Sequence, residues 1–296
     1  MKKGKNKKWV VGAHVSMIVL SFLALVPFIL LITSSFTDET TVIRNGYSFF
    51  PEKFSIDAYR YLFEQWQTIG RAYINTAIVT VIGTTVGVMI SAFFGFTVSR
   101  RNLPGRAWIL FFITFTMFFH GGMTIQYIIY TKIFNLKDTI WGLIIPGLLM
   151  NGYYVMSFRN YFENTIPDAL LEAGKIDGAS EFKLFWKIVF PLSGAIFATI
   201  GLPAALMYWN DWMNGMYYLN MGSKLQTVQT ILNNMNENVK FLSENATAAS
   251  QFDSSTIPTT TIRMAIAVVG IAPIICAFPI LQKWLVRGLT VGAVKE

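Results

Sequence analysis

In this chain of 296 residues, the side chains whose types and spacing suit chemistry sit in a polar segment between two apolar runs: Glu172, Ala173 and Gly174, then Asp177, Gly178 and Ala179. Their chemistry is that of contact. A short helix that presents one acid among small side chains can enter a groove on another protein, where Glu172 would pair with a basic group. Gly178 allows a tight bend without a side-chain clash. The surrounding segment 159–187 is amphipathic, with Leu170, Leu171, Ile176, Phe182, Leu184, Phe185 and Trp186 among Glu, Asp and Lys, and is expected to lie on a membrane surface. Pro167 suits a helix start and Asp177-Gly178-Ala179-Ser180 supplies turn and capping residues, so two short helices bent at Gly178 are predicted.

A second group pairs aromatic faces with amides, the combination that recognises a polyol by stacking and hydrogen bonding. Its members are Asn151, Tyr153 and Tyr154, then Trp209, Asn210 and Trp212, with Asp211 beside them. Trp and Tyr also gather at membrane interfaces as anchors, which is the preferred reading for Trp212 and Tyr217. Asp211 falls at the outer edge of an apolar run, where an ionisable group costs less than at the bilayer centre. His14 and His120 stand alone in apolar runs, without a second His or carboxylate at helical spacing, and are read as hydrogen-bonded structural residues.

Several classes of chemistry lack their signatures. Neither Gly4-Lys5 nor Gly174-Lys175 has the context of a phosphate-cradling Walker A loop, and no C-x-x-C, H-E-x-x-H or G-x-S-x-G arrangement occurs. An enzyme is therefore not expected, and ATP would not be hydrolysed by this chain.

The elements that must position these residues are membrane helices. With 53% hydrophobic residues, 14% charged residues and a mean hydropathy of +0.47, the composition departs from that of a soluble domain. A span needs about 20 mostly apolar residues, because only a helix satisfies its own backbone in hydrocarbon. Six runs meet or approach that need, 9–33, 72–98, 107–130, 139–158, 188–210 and 264–282, the last interrupted by Pro273 and Pro279. The predicted fold class is thus an all-α integral membrane protein of six transmembrane helices in one domain covering 1–296, without the alternating pattern of a barrel.

The net charge of +8 does not point to nucleic acid, because the cations cluster at the N-terminus (Lys2, Lys3, Lys5, Lys7, Lys8), in the second loop (Arg100, Arg101, Arg106) and in the tail (Lys283, Arg287, Lys295). By the positive-inside rule both termini face the cytoplasm. The first run is longer than the apolar core of a cleaved signal peptide, about 7–15 residues, and is read as a span. Cys276 lies inside the sixth run and is read as a small packed side chain. The external segment 211–263, rich in Asn, Ser and Thr such as Asn233, Asn234, Asn236, Asn238, Ser254 and Ser255, is expected to be a partly ordered loop. External segment 34–71 is expected to carry a short surface helix.

The spacing Glu172-Ala173-Gly174, three residues, Gly178, nine residues, then Ile188-Val189-Phe190-Pro191 resembles the EAA loop of ABC importer permeases, whose pattern is E-A-A-x3-G-x9-I-x-L-P. Gly174 replaces the second Ala and Phe190 the Leu. From Asn75 to the tail the chain is similar to the maltose-type carbohydrate branch: His120-Gly121-Gly122, Tyr127, Asn135 to Trp141, Ile145-Pro146 and Trp209-Asn210-Asp211-Trp212. Phe278 to Lys283 and Gly292 to Lys295 resemble an oligosaccharide-linked subgroup, while Ile125 departs from a Pro common in relatives.

The resemblance implies an inner-membrane subunit that pairs with a homologous second permease and two copies of a cytosolic ATPase, which holds the ATP and Mg. It also implies an extracytoplasmic solute-binding protein, a sugar or oligosaccharide cargo and surrounding membrane lipid. Glu172, Ala173, Gly174, Asp177, Gly178 and Ala179 would transmit movement from the ATPase. No cofactor is expected on this chain. A secondary transporter would instead need intramembrane acids or broken paired helices, and no acid falls inside the spans.

Overall fold

The computed structural model describes residues 5–119, 121–244 and 260–276, with side chains from residue 9 and not over 238–244. Among them the chain is helical, apart from turns and one isolated antiparallel bridge between Thr37 and Phe54. The helices are α1 (Lys5–Ser35), α2 (Glu39–Asn45), α3 (Asp57–Glu64), α4 (Trp66–Ser99), α5 (Arg106–Phe118), α6 (Met123–Ile133), α7 (Ile140–Ile144), α8 (Gly152–Thr165), α9 (Asp168–Ile176), α10 (Glu181–Leu192), α11 (Gly194–Trp209), α12 (Met213–Tyr218), α13 (Val228–Glu244) and α14 (Thr260–Cys276). They fall into two compact units, Met1–Ile69 with Leu232–Pro273 and Gly70–Ile231 with Ile274–Glu296.

In the first unit, Ala58 and Leu62 of α3 pack with Ile262, Ala265 and Ile266 of α14. The start of α14 is closed by a carboxylate distant in sequence: Glu39 accepts from the backbone N–H groups of Thr260 at 2.9 Å and Thr261 at 2.8 Å, and from the Thr261 hydroxyl at 2.6 Å. An acid there satisfies orphan donors and lies at the positive end of the helix dipole. Where one short helix is expected in 34–71, the structure has two, α2 and α3, besides the start of α4.

The second unit is organised on α4, whose Gly83, Gly87, Ser91 and Gly95 recur every four residues on one face. Small side chains at that spacing let helices approach closely in a membrane. A Cβ on Gly87 would stand 2.8 Å from the Leu149 carbonyl, and a Cβ on Gly95 would collide with Phe158 of α8. Around this contact Ala92, Phe96, Phe158, Phe162, Phe185 and Val189 form the core.

The apolar runs are less continuous than expected. By length and composition two helices suit a membrane span, Trp9–Ser35 and Trp66–Ser99, and up to four spans result if each bent pair counts as one. The single helix predicted over 107–130 ends at Phe118 and restarts at Met123, where Gly122 has φ +83°. His120 lies outside the described residues.

The helix predicted over 139–158 is two helices, α7 and α8, with 145–151 unwound. Pro146 cannot donate a hydrogen bond and Gly147 is left-handed at φ +71°. The run 188–210 turns by 83° between α10 and α11 at Ser193. A π-helical turn over Phe185–Val189 widens α10 before Pro191, whose ring would otherwise clash with the preceding turn. Part of the expected sixth span is α14, and 277–282 lie outside the described residues, as do the tail motifs. Segment 211–263, expected as a partly ordered loop, holds α12, all of α13 and the start of α14.

Candidate functional site

The polar segment 159–187 holds the end of α8, then α9 and the start of α10 around a turn. In α9, Asp168 stands in the first turn and Lys175 in the last, each favourable to the helix dipole. The helix ends in a Schellman motif: Ala179 N–H donates to the Gly174 carbonyl and Gly178 N–H to the Lys175 carbonyl, both at 2.9 Å. That motif places Gly178 at φ +74°, a region in which an L side chain is strained. The next helix begins where Ser180 Oγ accepts from Lys183 N–H at 3.3 Å.

One face of α9 is anchored and the other is open. Leu171 is buried in the core with Phe162 and Phe185. A Cβ on Gly174 would lie 2.5 Å from Leu184 Cδ2 and 3.2 Å from Ile188 Cδ1, so the departure from Ala at this position brings α9 close onto α10. On the open side Glu172, Ala173 and Asp177 are exposed, with Ile176 86% exposed. Glu172 makes no hydrogen bond or ion pair among the described residues, as suits a group that binds another chain.

Ion pairs fasten this segment to the loop after α4. Glu163 on α8 takes both Arg106 and Arg159, the latter at 2.9 Å, while Arg106 Nε donates to the Val98 carbonyl at 2.8 Å. Glu181 takes Arg100 at 3.1 Å and Lys175 at 2.6 Å. Burial works against the charged form of Glu181, but Lys175 and Arg100 outweigh it and hold the carboxyl below its usual range.

The aromatic and amide candidates occupy the starts and ends of helices. Asn151 caps α8, its Oδ1 accepting from Tyr153 N–H at 2.9 Å. Tyr153 is exposed, whereas Tyr154 lies in the core with its hydroxyl 3.3 Å from Met207 Sδ, which brings the start of α8 beside α11. At the end of α11, Asn210 accepts at Oδ1 from Gln229 at 3.3 Å, and Trp209 is half-buried. Asp211 Oδ1 accepts from the N–H groups of Met213 at 3.1 Å and Asn214 at 3.3 Å, opening α12. Burial raises its carboxyl to about 6, against the pull of those two donors. It is therefore ionised at pH 7 and takes a proton as the pH falls through about 6.

Sequence reasoning passed over Asn214 and Tyr208. Asn214 Nδ2 donates to the carbonyls of Leu143 at 3.3 Å and Pro146 at 3.0 Å, and the Tyr208 hydroxyl donates to Ile144 at 3.0 Å. Together they satisfy the carbonyls freed where α7 unwinds. The available signal was a lone Asn two positions beyond Trp212, next to a Pro-Gly break elsewhere in the chain. Asn75 and Thr76 were also missed in this role: Asn75 holds the carbonyls of Lys224 and Gln226, and Thr76 accepts from Val228 N–H, fixing the start of α13 on α4.

Helices long and apolar enough to cross a membrane, with the acid-bearing face of α9 exposed beside them in sequence, describe a class of membrane chain, and comparison with known proteins gives the family. Residues 87–291 match the family described as binding-protein-dependent transport system inner membrane component, and the chain belongs to that family of ABC importer permeases. It is 35% identical over 98% of its length, and 99% of the relative's, to the polygalacturonan/rhamnogalacturonan transport system permease protein YtcP of Bacillus subtilis. It is 32% identical to protein LplC of the same organism over 92% of this chain and 90% of that one. Among solved structures it resembles a bacterial ABC transporter involved in the import of the acidic polysaccharide alginate, at a TM-score of 0.77 and 26% identity over 96% of this chain and 98% of that chain. The chain is accordingly a transport permease and not an enzyme.

Proposed function

We propose that this permease forms half of a translocation path for a sugar or oligosaccharide, in the bacterial inner membrane, with six spans and both termini in the cytoplasm. It pairs with a distinct homologous permease, docks two cytosolic ATPases that carry the ATP and Mg, and receives cargo from an extracytoplasmic binding protein. The observation that carries this reading is the α9–Gly178–α10 turn with its exposed Glu172 and Ala173, at the spacing of the EAA loop, in a chain whose relatives are named for saccharide transport. Glu172, Ala173, Gly174, Asp177, Gly178 and Ala179 form the ATPase-coupling element. In the path, Tyr153, Asn210 and Trp209 meet the solute, while Asn151, Tyr154 and Asp211 position the helix ends that bear them.

Deleting the gene and complementing it tests the cargo. Uptake of labelled oligosaccharides, neutral and acidic arms assayed separately, should disappear in the deletion and return with the wild-type chain, while uptake of amino acids is unchanged. Loss of amino-acid uptake with saccharide uptake intact would assign the path to another solute class.

A further inference from the structure

A cavity of about 430 Å³ opens between the end of α4, the loop after it and the start of α10. Its wall is apolar and aromatic: Phe93 stands 6.0 Å from Phe182 and 4.4 Å from Phe185, ring centre to ring centre. Its other end is charged, with Arg100 and Lys175 converging on Glu181. The arrangement is that of an amphiphile's binding site, acyl chains on rings and a headgroup on cations.

Three observations say which amphiphile. The uncharged run of α4 ends immediately before Arg100 and Arg101, so the cavity's polar end lies at the level of the membrane surface on the cation-rich side, where anionic lipid collects. Phe182, 65% exposed, and Trp186, 39% exposed, flank it as interfacial aromatics do. Two cations face a single carboxylate, leaving one net positive charge, and the Arg100 guanidinium is set at the cavity wall with its Cζ 4.5 Å over the Phe96 ring. Glu172 and Ala173 do not line the cavity, so it is separate from the proposed ATPase-docking face.

We propose that this cavity binds an anionic phospholipid of the cytoplasmic leaflet, its phosphodiester taken by Arg100 and Lys175 and its acyl chains lying along Phe93 and Phe182. The lipid would brace α10 against α4 beside the coupling turn. The site is independent of the cargo assignment.

The importer complex, extracted from its native membrane and exchanged into nanodiscs of phosphatidylcholine with graded phosphatidylglycerol, is examined by native mass spectrometry for retained lipid. Retention of phosphatidylglycerol should exceed that of phosphatidylcholine by about fivefold or more, the scale of one cation near a membrane surface. Arg100→Gln should remove the preference. Because that change also breaks the bridge to Glu181, Thr97→Trp serves as a second variant, filling the cavity from its exposed rim with the bridge intact, and should also displace the lipid. Retention without headgroup preference, or a preference unchanged in both variants, would overturn the proposal. So would equal competition by soluble glycerophosphate, which would mark a site for free anions, or shielding of Thr97→Cys from a maleimide by the ATPase in delipidated complex, which would give the groove to a protein partner.

Discussion

Replacing Gly178 by Val should reduce ATP-driven uptake more than any other single change in the coupling segment, without preventing insertion of the chain. A Cβ at this position would meet no atom within 4 Å, so the substitution acts on the backbone alone. At φ +74° an ordinary L residue costs about 1–2 kcal/mol, and a β-branched one is the worst case. The cost falls on the turn that fixes α9 to α10, because the two Schellman bonds at Gly174 and Lys175 exist only with residue 178 left-handed. Expressed as loss of the docking geometry, that is up to about a 5–30-fold decrease in uptake. The expected order is Gly above Asn above Ala above Val, since Asn tolerates the left-handed region best after Gly. Uptake by the Val variant equal to wild type would show that the turn is not needed in this form.

The second large effect concerns stability. Asn214→Leu keeps the volume and removes the donors to the Leu143 and Pro146 carbonyls, in a run that holds no charged residue from Thr139 to Phe158. Each buried acceptor left without a partner costs about 1–3 kcal/mol, and hydrocarbon offers no water to replace it. The unfolding midpoint in a denaturing-detergent titration should fall clearly. Tyr208→Phe, which deletes only the donor to Ile144 and keeps the ring on Gly83, should fall by less. Asn214→Asp at neutral pH should behave like Leu, since a carboxylate cannot donate. A midpoint for Asn214→Leu at the wild-type value would mean that the unwound segment 145–151 is hydrated.

How far these features were visible beforehand depends on the range of the interaction that creates them. The turn between α9 and α10 is local: Pro167, Gly178 and Ser180 state where the two helices begin and end, so two helices bent at Gly178 were legible. The long helices α1 and α4 were equally legible, because uninterrupted apolar length decides them. The breaks at Phe118–Met123, 145–151 and Ser193 were not, because a hydropathy window averages over a Gly pair or a Pro-Gly step. Whether such a step unwinds a helix depends on distant donors such as Asn214 and Tyr208.

Segment 211–263 misled for the opposite reason. Its Asn-rich composition reads as loop, yet α13 is started by Asn75 and Thr76 from α4, about 150 positions away, a tertiary effect that outweighs weak propensity. Gly174 carries the same lesson on a smaller scale. By propensity it loosens α9, but in the fold it admits Leu184 and Ile188.

On the proposed function, this chain moves solute only when coupled to a separate ATPase through the face of α9. Affinity isolation of the tagged chain from its native membrane, with Glu172→Ala and Gly178→Val carried beside the wild type, tests it most directly. An ATP-hydrolysing partner should accompany the wild type and be lost from the variants, at equal recovery of the tagged chain. A wild-type chain that emerges alone and still carries solute into liposomes without ATP would contradict it.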